Sequence, residues 1–382
     1  MRVDKNVNNQ QGAAEKQPQA DTALDRARAE IDLVDREMAA LFVRRMRAVE
    51  AVADYKRAHG LPVLDSSRED AVVRKNASRV EDDELRPYYV EFLRDTMKAS
   101  RHYQHKRLQG MRVAYSGIEG AYAAIAAMRL FPDAERVPYA DFADAYHAAE
   151  SGECDVAILP IENSTAGEVG QVMDILFSGS LVVTNTYDLA ITHNLVGVPG
   201  ASVADIRRVI SHPQALAQCA RYIAEHRFEE QQAGNTALAA RLVAEKGDKQ
   251  LAAIASEETA VLYGLEILDH NITETRINTT RFAVLSRASD STSSRGKHFM
   301  LTFTVRNEAG SLAKAINTIG DYGYNMRCLR SRPMKELLWQ YYFYVELEGD
   351  LETENGRRML ESLACCCEKL KVLGCFSAST GQ

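Results

Sequence analysis

No apolar run in this chain of 382 residues approaches the length a membrane-spanning helix requires, so no transmembrane segment is expected. The first residues, Met1 to Ala20, are rich in Asn, Gln, Ala and Gly and lack an apolar core. They read as a disordered tail (1–20), not a signal peptide. Cysteine is sparse: there are seven, an odd number, with no C-x-x-C pair, and Cys365, Cys366 and Cys367 stand adjacent in a helix-like stretch. That usage excludes a disulfide framework and a zinc site, and it points to a reducing, cytoplasmic setting. An excess of positive charge is missing too. Lys and Arg number 46 against 53 Asp and Glu, a net charge of -7, so no nucleic-acid partner is expected and any anion site must be built locally from a few placed cations. There is no P-loop, and the G-x-x-G present is not a dinucleotide fingerprint. His102 and His105 lie three apart on a helix, but no third ligand is evident, so neither metal nor cofactor is expected.

What is present is an ordinary globular composition, 46% hydrophobic and 26% charged, with length for two or three domains. No solenoid-type tandem repeat interrupts it. From Thr22 to about Arg57 the apolar residues Leu24, Ala27, Ile31, Val34, Met38 and Leu41 recur at alternating steps of three and four, one seam of a long helix. A second helix opens at Ser66-Ser67-Arg68-Glu69, and a third runs from about Leu85 to Arg107. Residues 21–110 are therefore read as an all-α domain. A helix carrying one uncovered seam needs a partner, and a dimer is expected.

At Met111 short apolar runs begin to alternate with amphipathic stretches. Strands are predicted at Arg112–Tyr115, Val156–Ile161, Val209–Ile210, Leu251–Ala255 and Phe282–Leu285. Helices are predicted at Ala121–Phe131, Glu168–Phe177, Ala215–Glu225, Ala237–Ala244 and Glu258–Tyr263. The alternation argues for an α/β domain over 111–287 with mostly parallel strands. A Ser-rich linker, 288–297, leads to a strand–helix–strand–strand–helix–strand pattern over 298–378, a βαββαβ ferredoxin-like unit.

The candidate chemistry lies where polar residues break these patterns. Arg45 falls on the continuation of the apolar seam, and Lys56, eleven residues on, shares its face at roughly 16 Å. Two such cations can lean toward one small anion, or simply snorkel into water. Arg28 lies about 25 Å before Arg45, so the two cannot hold one small ligand from a single helix. In the third helix Leu93, Met97, Ser100 and Gln104 make a stripe that begins apolar and ends polar. In the α/β region, three polar turns stand at strand ends: Ser116–Gly120, Glu162–Gly167 and Ser211–Gln214. In open α/β sheets such ends are where ligands sit.

Arg28-x-x-Ile31-x-x-x-Asp35, Arg45, Lys56, Asp65-x-x-Arg68-Glu69, Ser100 and Gln104 together resemble the all-α chorismate mutases. The resemblance implies an intertwined helical dimer that converts chorismate to prephenate. Arg28 of the partner chain and Arg45 would hold carboxylates. Lys56 and Gln104 would face the ether oxygen, Asp65 and Glu69 the ring hydroxyl, and Ser100 would assist a carboxylate. Such a rearrangement needs no base, nucleophile or metal, only a compact conformer and fixed positive charge at the developing oxyanion.

Pro160-Ile161-Glu162-Asn163-Ser164, Ser211-His212-Pro213-Gln214 and Thr280-Arg281-Phe282 resemble prephenate dehydratase. This implies two α/β lobes around a cleft, like periplasmic solute-binding proteins, and conversion of prephenate to phenylpyruvate. Thr280 would polarise the departing hydroxyl, Asn163 and Gln214 would orient it, and Glu162 would support them. Arg281 would meet a substrate carboxylate or form a structural ion pair. Tyr122 is followed by Ala123 and Ala124, where the family often has Ser and then a polar or acidic residue.

Glu308-Ala309-Gly310-Ser311-Leu312 and Ser331-Arg332-Pro333 resemble the ACT regulatory domain. There, Gly310, Ser311, Leu312, Ser331, Arg332 and Pro333 would bind phenylalanine as an inhibitor, and Arg330 stands where the family usually has Glu. The whole chain thus reads as a bifunctional enzyme of phenylalanine biosynthesis. The alternatives are that one site is inactive, that arogenate replaces prephenate, or that the chain is a non-catalytic small-molecule sensor.

Overall fold

The computed structural model describes residues 23–59, 66–275, 277–288, 297–334, 339–376 and 378–380. It divides into two compact units, 1–63 and 64–382. The described part of the first unit is the helix α1 (Ala23–Ala58), unbroken over 36 residues. Its seam residues Leu24, Ile31, Val34, Met38 and Leu41 are all exposed, by 42–60%.

The second unit opens with α2 (Ser66–Ala77) and α3 (Arg86–Gln109), where Pro87 sits in the first turn. A first α/β lobe follows. Its elements are β1 (Arg112–Ser116), α4 (Tyr122–Leu130), β2 (Glu135–Tyr139), α5 (Phe142–Ser151), β3 (Val156–Asn163), β4 (Gly167–Glu168), α6 (Gly170–Ser178) and β5 (Val182–Ala190). The chain then crosses to a second lobe. This comprises β6 (Asn194–Gly197), β7 (Arg208–Ser211), α7 (Pro213–Gln218), α8 (Ala220–His226), β8 (Glu229–Gln232), α9 (Thr236–Lys246), β9 (Leu251–Ala255), α10 (Glu257–Leu262) and β10 (Glu266–Asp269). It returns to the first lobe through β11 (Thr279–Ser286). The last segment holds β12 (His298–Thr304), α11 (Ser311–Asp321), β13 (Asn325–Pro333), β14 (Tyr341–Glu348), α12 (Glu354–Ala364), β15 (Lys369–Phe376) and β16 (Ala378–Thr380).

The strand order of the first-lobe sheet is β16-β5-β11-β3-β1-β2, with β4 paired to β3, and that of the second is β10-β6-β9-β7-β8. Both are mixed, which corrects the expectation of mostly parallel strands. β1 runs parallel to β2 and β3, but β11 is antiparallel to both of its neighbours, β3 and β5. In the second lobe β6 is antiparallel to β9 and β10. The cause is the double crossing: the chain leaves the first sheet through β5 and re-enters it through β11, coming back from the far lobe. Central strands are continuous apolar runs because both of their faces are covered; all five residues of β9 are buried. The expected helix over Ala215–Glu225 breaks at Cys219 into α7 and α8.

The third sheet has the order β13-β14-β12-β15, and its strands pair antiparallel throughout, the arrangement a βαββαβ unit produces. One face packs on α11 and α12 around Phe299, Phe303, Val345 and Met359. The other gives Met300, Tyr344, Leu373 and Phe376 to the core of the first lobe, alongside Leu159 and Leu176. Gly374 allows this close approach. Its φ is +151°, and a Cβ there would collide with the Val183 carbonyl of β5. Among the described residues no helix is long and apolar enough to cross a membrane, and all seven cysteines are unpaired.

Candidate active sites

The polar turns of the α/β region contribute to one cleft, and Asn163 stands within it. β3 ends there, and the side chain turns into the space between the lobes at 7% exposure. Its Oδ1 accepts from the Thr165 N–H (3.0 Å), the Thr165 hydroxyl (2.7 Å) and the Ala166 N–H (2.9 Å). These bonds form an Asx-type turn that fixes the residues after the strand. The Asn163 Nδ2 donates to Asn278 Oδ1 (2.9 Å) and to Thr280 Oγ1 (3.0 Å). Thr280 is on β11, directly opposite Asn163 in the strand register.

The second lobe closes on this cluster. Gln214 and Gln218 are both on α7, which starts at Pro213 after the turn that ends β7. Gln214 Nε2 donates to Asn163 Oδ1 at 3.4 Å, and Gln218 Nε2 to Thr165 Oγ1 at 2.6 Å. Gln218 Oε1 accepts from Asn278 Nδ2 (3.0 Å) and faces His193 Nε2 (2.9 Å). The other nitrogen of His193, Nδ1, is 3.2 Å from the Tyr122 hydroxyl. His193 is 3% exposed, and burial holds its pKa below the ordinary histidine value, with the Gln218 contact opposing that shift. His212, which caps α7, is likewise lowered by burial.

Tyr122, Asn163, His193, His212, Gln214, Gln218 and Thr280 line a cleft of about 520 Å³ together with Ser116, Gly117, Asp141, Asn235 and Thr236. Among the described residues no Lys or Arg lines it. The N-termini of α4 and α9 do contribute to its wall, and α4 has no side-chain cap, so its first-turn N–H groups are open to an anion. Ala123 and Ala124 are buried in the apolar core of the first lobe, which is what their small side chains are suited to.

Two dehydratase positions stand elsewhere. Successive strand residues point to opposite faces, and Glu162 points away from Asn163. Its carboxylate meets the guanidinium of Arg330 on β13 and does not line the cleft. Arg281 also leaves the cleft. It grips Asp188 with Nε (2.7 Å) and Nη2 (3.0 Å) and reaches Glu346 at 3.4 Å, so it is the structural ion pair of the two expected alternatives. The Asp188 hydrogen bond raises its pKa further above the ordinary arginine value.

Sequence reading missed His193, Gln218, Asn235 and Thr236. A signal existed for the last two. Gln232-Ala233-Gly234-Asn235-Thr236 is another strand end followed by a capping residue, and the Asn235 side chain accepts from the Leu238 N–H at the start of α9. Gln218 lies one helical turn after Gln214, on the same face. His193 sits in a lobe crossing whose role only the fold reveals.

In the helical region, Arg28, Arg45 and Lys56 all lie on α1; Arg45 and Lys56 are half-buried, and burial lowers the Arg45 pKa. Asp65 lies outside the described residues, as do the side chains of His102 and His105. Glu69 is half-buried and bound by Arg101 Nη1 at 2.5 Å, whereas Arg68 is exposed. Ser100 is buried and donates to the Thr96 carbonyl of its own helix at 2.7 Å. Gln104 is 8% exposed, and its Oε1 is buried without a hydrogen bond among the described residues. A buried, unsatisfied amide oxygen is costly unless a ligand or water meets it.

In the C-terminal sheet, Gly310 adopts φ +86° immediately before α11, where Ser311 and Leu312 form the first turn. Ser331 and Pro333 are exposed on one face of β13. Arg332 is on the opposite face, bound to Glu168 (2.8 Å) and Asp174 (3.0 Å) of the first lobe, so it does not join the other two.

Comparison with known proteins agrees with this division. Residues 113–290 match the prephenate dehydratase family, and residues 27–105 match chorismate mutase type II. A bifunctional chorismate mutase/prephenate dehydratase of Neisseria gonorrhoeae is 30% identical over 355 residues, covering 91% of this chain and 94% of that protein. Arogenate dehydratase/prephenate dehydratase 1 of Arabidopsis thaliana is 32% identical over 281 residues, covering 70% of this chain and 72% of its own. The crystal structure of prephenate dehydratase from Arthrobacter aurescens in complex with L-Phe superposes with a TM-score of 0.65 at 26% identity, covering 70% of this chain and 90% of that one. With both segments matched and nearly the full length of the Neisseria protein covered, the chain belongs to the bifunctional chorismate mutase/prephenate dehydratase family.

Proposed function

We propose a division of labour among the residues of this two-activity enzyme. The chain rearranges chorismate to prephenate and then decarboxylates and dehydrates prephenate to phenylpyruvate, two steps of phenylalanine biosynthesis. The observation that carries the dehydratase assignment is the 3.0 Å contact between Asn163 and Thr280. Asn163 donates to Thr280 Oγ1, which leaves the threonine hydrogen free to point at a substrate hydroxyl. Dehydration breaks the carboxyl–ring bond and sends that electron pair into the ring. The ring expels hydroxide, which takes up a proton and leaves as water. Aromatisation drives the step, so a hydrogen bond that polarises the departing C–O bond is the assistance required. Gln214 supports Asn163 from the other lobe, and the N-termini of α4 and α9 supply the positive potential for carboxylates where no cationic side chain does.

For the mutase, Arg28, Arg45, Lys56, Asp65, Glu69, Ser100 and Gln104 are assigned by their match to the family spacing. Arg28 is assigned to act in the partner's site, because roughly 25 Å of helix separates it from Arg45. The exposed seam of α1 supports a homodimer. The C-terminal βαββαβ sheet is assigned as an ACT domain, with phenylalanine bound near Gly310–Leu312, Ser331 and Pro333; the Arthrobacter relative with L-Phe supports an inhibitor of that kind.

Asp141 favours a second substrate. It lines the cleft while one oxygen of its carboxylate caps α5 by accepting from the Asp144 N–H, and a carboxylate there suits the ammonium group of arogenate. Product analysis from purified protein given chorismate, with and without phenylalanine, tests the main reading, and kcat/KM for prephenate against arogenate tests the second. Failure to form phenylpyruvate from prephenate would overturn the dehydratase assignment.

A further inference from the structure

The turn that presents Asn163 carries a charge problem. Glu162 on β3 pairs directly with Glu168 on β4, and like charges opposite one another in a ladder repel. The first lobe adds Asp174 close by. The compensating charge comes from β13 of the C-terminal sheet. Arg330 grips Glu162 through Nη2 and approaches Glu168 Oε2 at 3.9 Å. That oxygen is buried and accepts no hydrogen bond among the described residues. Arg332 holds Glu168 Oε1 and Asp174. Arg281, the nearby cation of the first lobe, has its guanidinium committed to Asp188 and Glu346.

We infer that Arg330 is a positioning residue for the dehydratase: by neutralising Glu162 across the sheet–lobe seam, it holds the β3–β4 turn closed so that Asn163 stays against Thr280. This rests on the dehydratase reading above. It also gives the C-terminal sheet a physical grip on the site. Arg330 and Arg332 of β13 bind carboxylates of the catalytic lobe, while Ser331 between them is exposed. Movement of this one strand would release Glu162 and Glu168 against each other, one residue from Asn163. The residue type matters, because a carboxylate at position 330 would add to the repulsion.

Backbone amide exchange in the full chain, combined with prephenate kinetics, tests this. The Thr165 and Ala166 amides bond to Asn163 Oδ1, so their exchange reports the turn whether or not the enzyme turns over. Arg330→Met is expected to speed both by about tenfold, the worth of one charge-assisted hydrogen bond, and to lower kcat for prephenate by a similar factor with KM within about twofold. Arg330→Lys should restore most of each. In a Glu162→Gln background, Arg330→Met should add little. Unchanged exchange at Thr165 and Ala166, or a kcat loss equally large in both backgrounds, would overturn the inference. Should Arg330→Met fail to fold, Arg330→Gln, which keeps a polar side chain but no charge, is expected to show the same faster exchange, and Glu162→Gln alone, which removes the repulsion, is expected to leave it near wild type. A wild-type chain that does not convert prephenate defeats the functional reading instead, and the exchange result still decides whether Arg330 holds the turn.

Discussion

Asn163 and Thr280 meet at 3.0 Å across two paired strands, although 117 residues separate them in the chain. The bond assigns the hydrogens: the Asn163 amide donates, the Thr280 oxygen accepts, and the threonine hydrogen is left for substrate. Thr280→Ala is therefore expected to lower dehydratase kcat on the order of 10²-fold or more and to leave mutase turnover unchanged. Thr280→Ser should retain a large share. Asn163→Asp should lose activity as well, because a carboxylate would draw the threonine hydrogen toward itself. Steady-state assays of prephenate and chorismate on the same preparations check all three.

Burial of His193 contributes to the acid limb of stability. Its pKa is held below 6.5 in the folded state, so between that lowered value and 6.5 the unfolded chain binds more protons. Stability then rises with pH across this window and is lost as the pH falls through it. His193→Asn, which keeps a polar side chain between Tyr122 and Gln218, is expected to flatten that part of the curve. His212 is lowered by the same cause and would leave a residual slope. Denaturant midpoints measured from pH 5 to 7.5 would decide it. An unchanged slope in the variant would show that other groups govern the limb.

Much of this was legible in the sequence, and the exceptions have physical causes. The helix seam, the βαββαβ order and the three polar turns are local patterns, and locality is what a sequence displays. Thr280 was recognisable because its motif is short and contiguous. The partners of Glu162 and Arg281 were not: Glu162 meets Arg330 of the third sheet, and Arg281 meets Asp188 on the neighbouring strand β5 and Glu346 of the third sheet, and such facing is set by register and docking. The antiparallel direction of β11 was hidden for the same reason: direction depends on where the chain has been, not on the residues of the strand. His193 looked ordinary until the fold placed both ring nitrogens in the cleft network.

Gly120 tests how the lobes are held together. Its carbonyl accepts from the Thr259 hydroxyl of α10 at 2.7 Å, and Tyr263 reaches the Glu119 carbonyl next to it at 2.9 Å. Its φ is +87°, and an added Cβ would lie 3.0 Å from Leu262 Cδ2. Gly120→Ala thus combines left-handed backbone strain with a contact that must give, a cost of about 1–3 kcal/mol. Thermal unfolding followed by far-UV circular dichroism should show a lowered midpoint, while mutase activity at 25 °C stays near wild type.

Arg281 is expected to act on stability before chemistry. Its guanidinium is bidentate on Asp188 and also reaches Glu346, a carboxylate 5% exposed. Removing one partner strands the others, so Arg281→Met should cost about 3 kcal/mol in urea unfolding. Arg281→Lys should recover less than half, because a lysine cannot reproduce the fork. A variant of normal stability that had lost only dehydratase turnover would place Arg281 in the reaction instead.

Mutase sites shared between chains would make a quantitative prediction. α1 is a single helix of 36 residues, so Arg28 and Arg45 are held roughly 25 Å apart along it. If each site takes Arg45 from one chain and Arg28 from the other, Arg28→Ala and Arg45→Ala homodimers are both inactive. A mixed dimer restores one site: it pairs the intact Arg45 of the first variant with the intact Arg28 of the second. The other site loses both. Random reassortment puts half the dimers in the mixed form with one of two sites intact, so chorismate turnover should recover to about a quarter of wild type. Sites contained within one chain predict no recovery, since every chain then lacks one arginine. Refolding the two variants together, with heterodimer formation verified by distinct affinity tags, separates the two arrangements by a factor that no loss of stability could imitate.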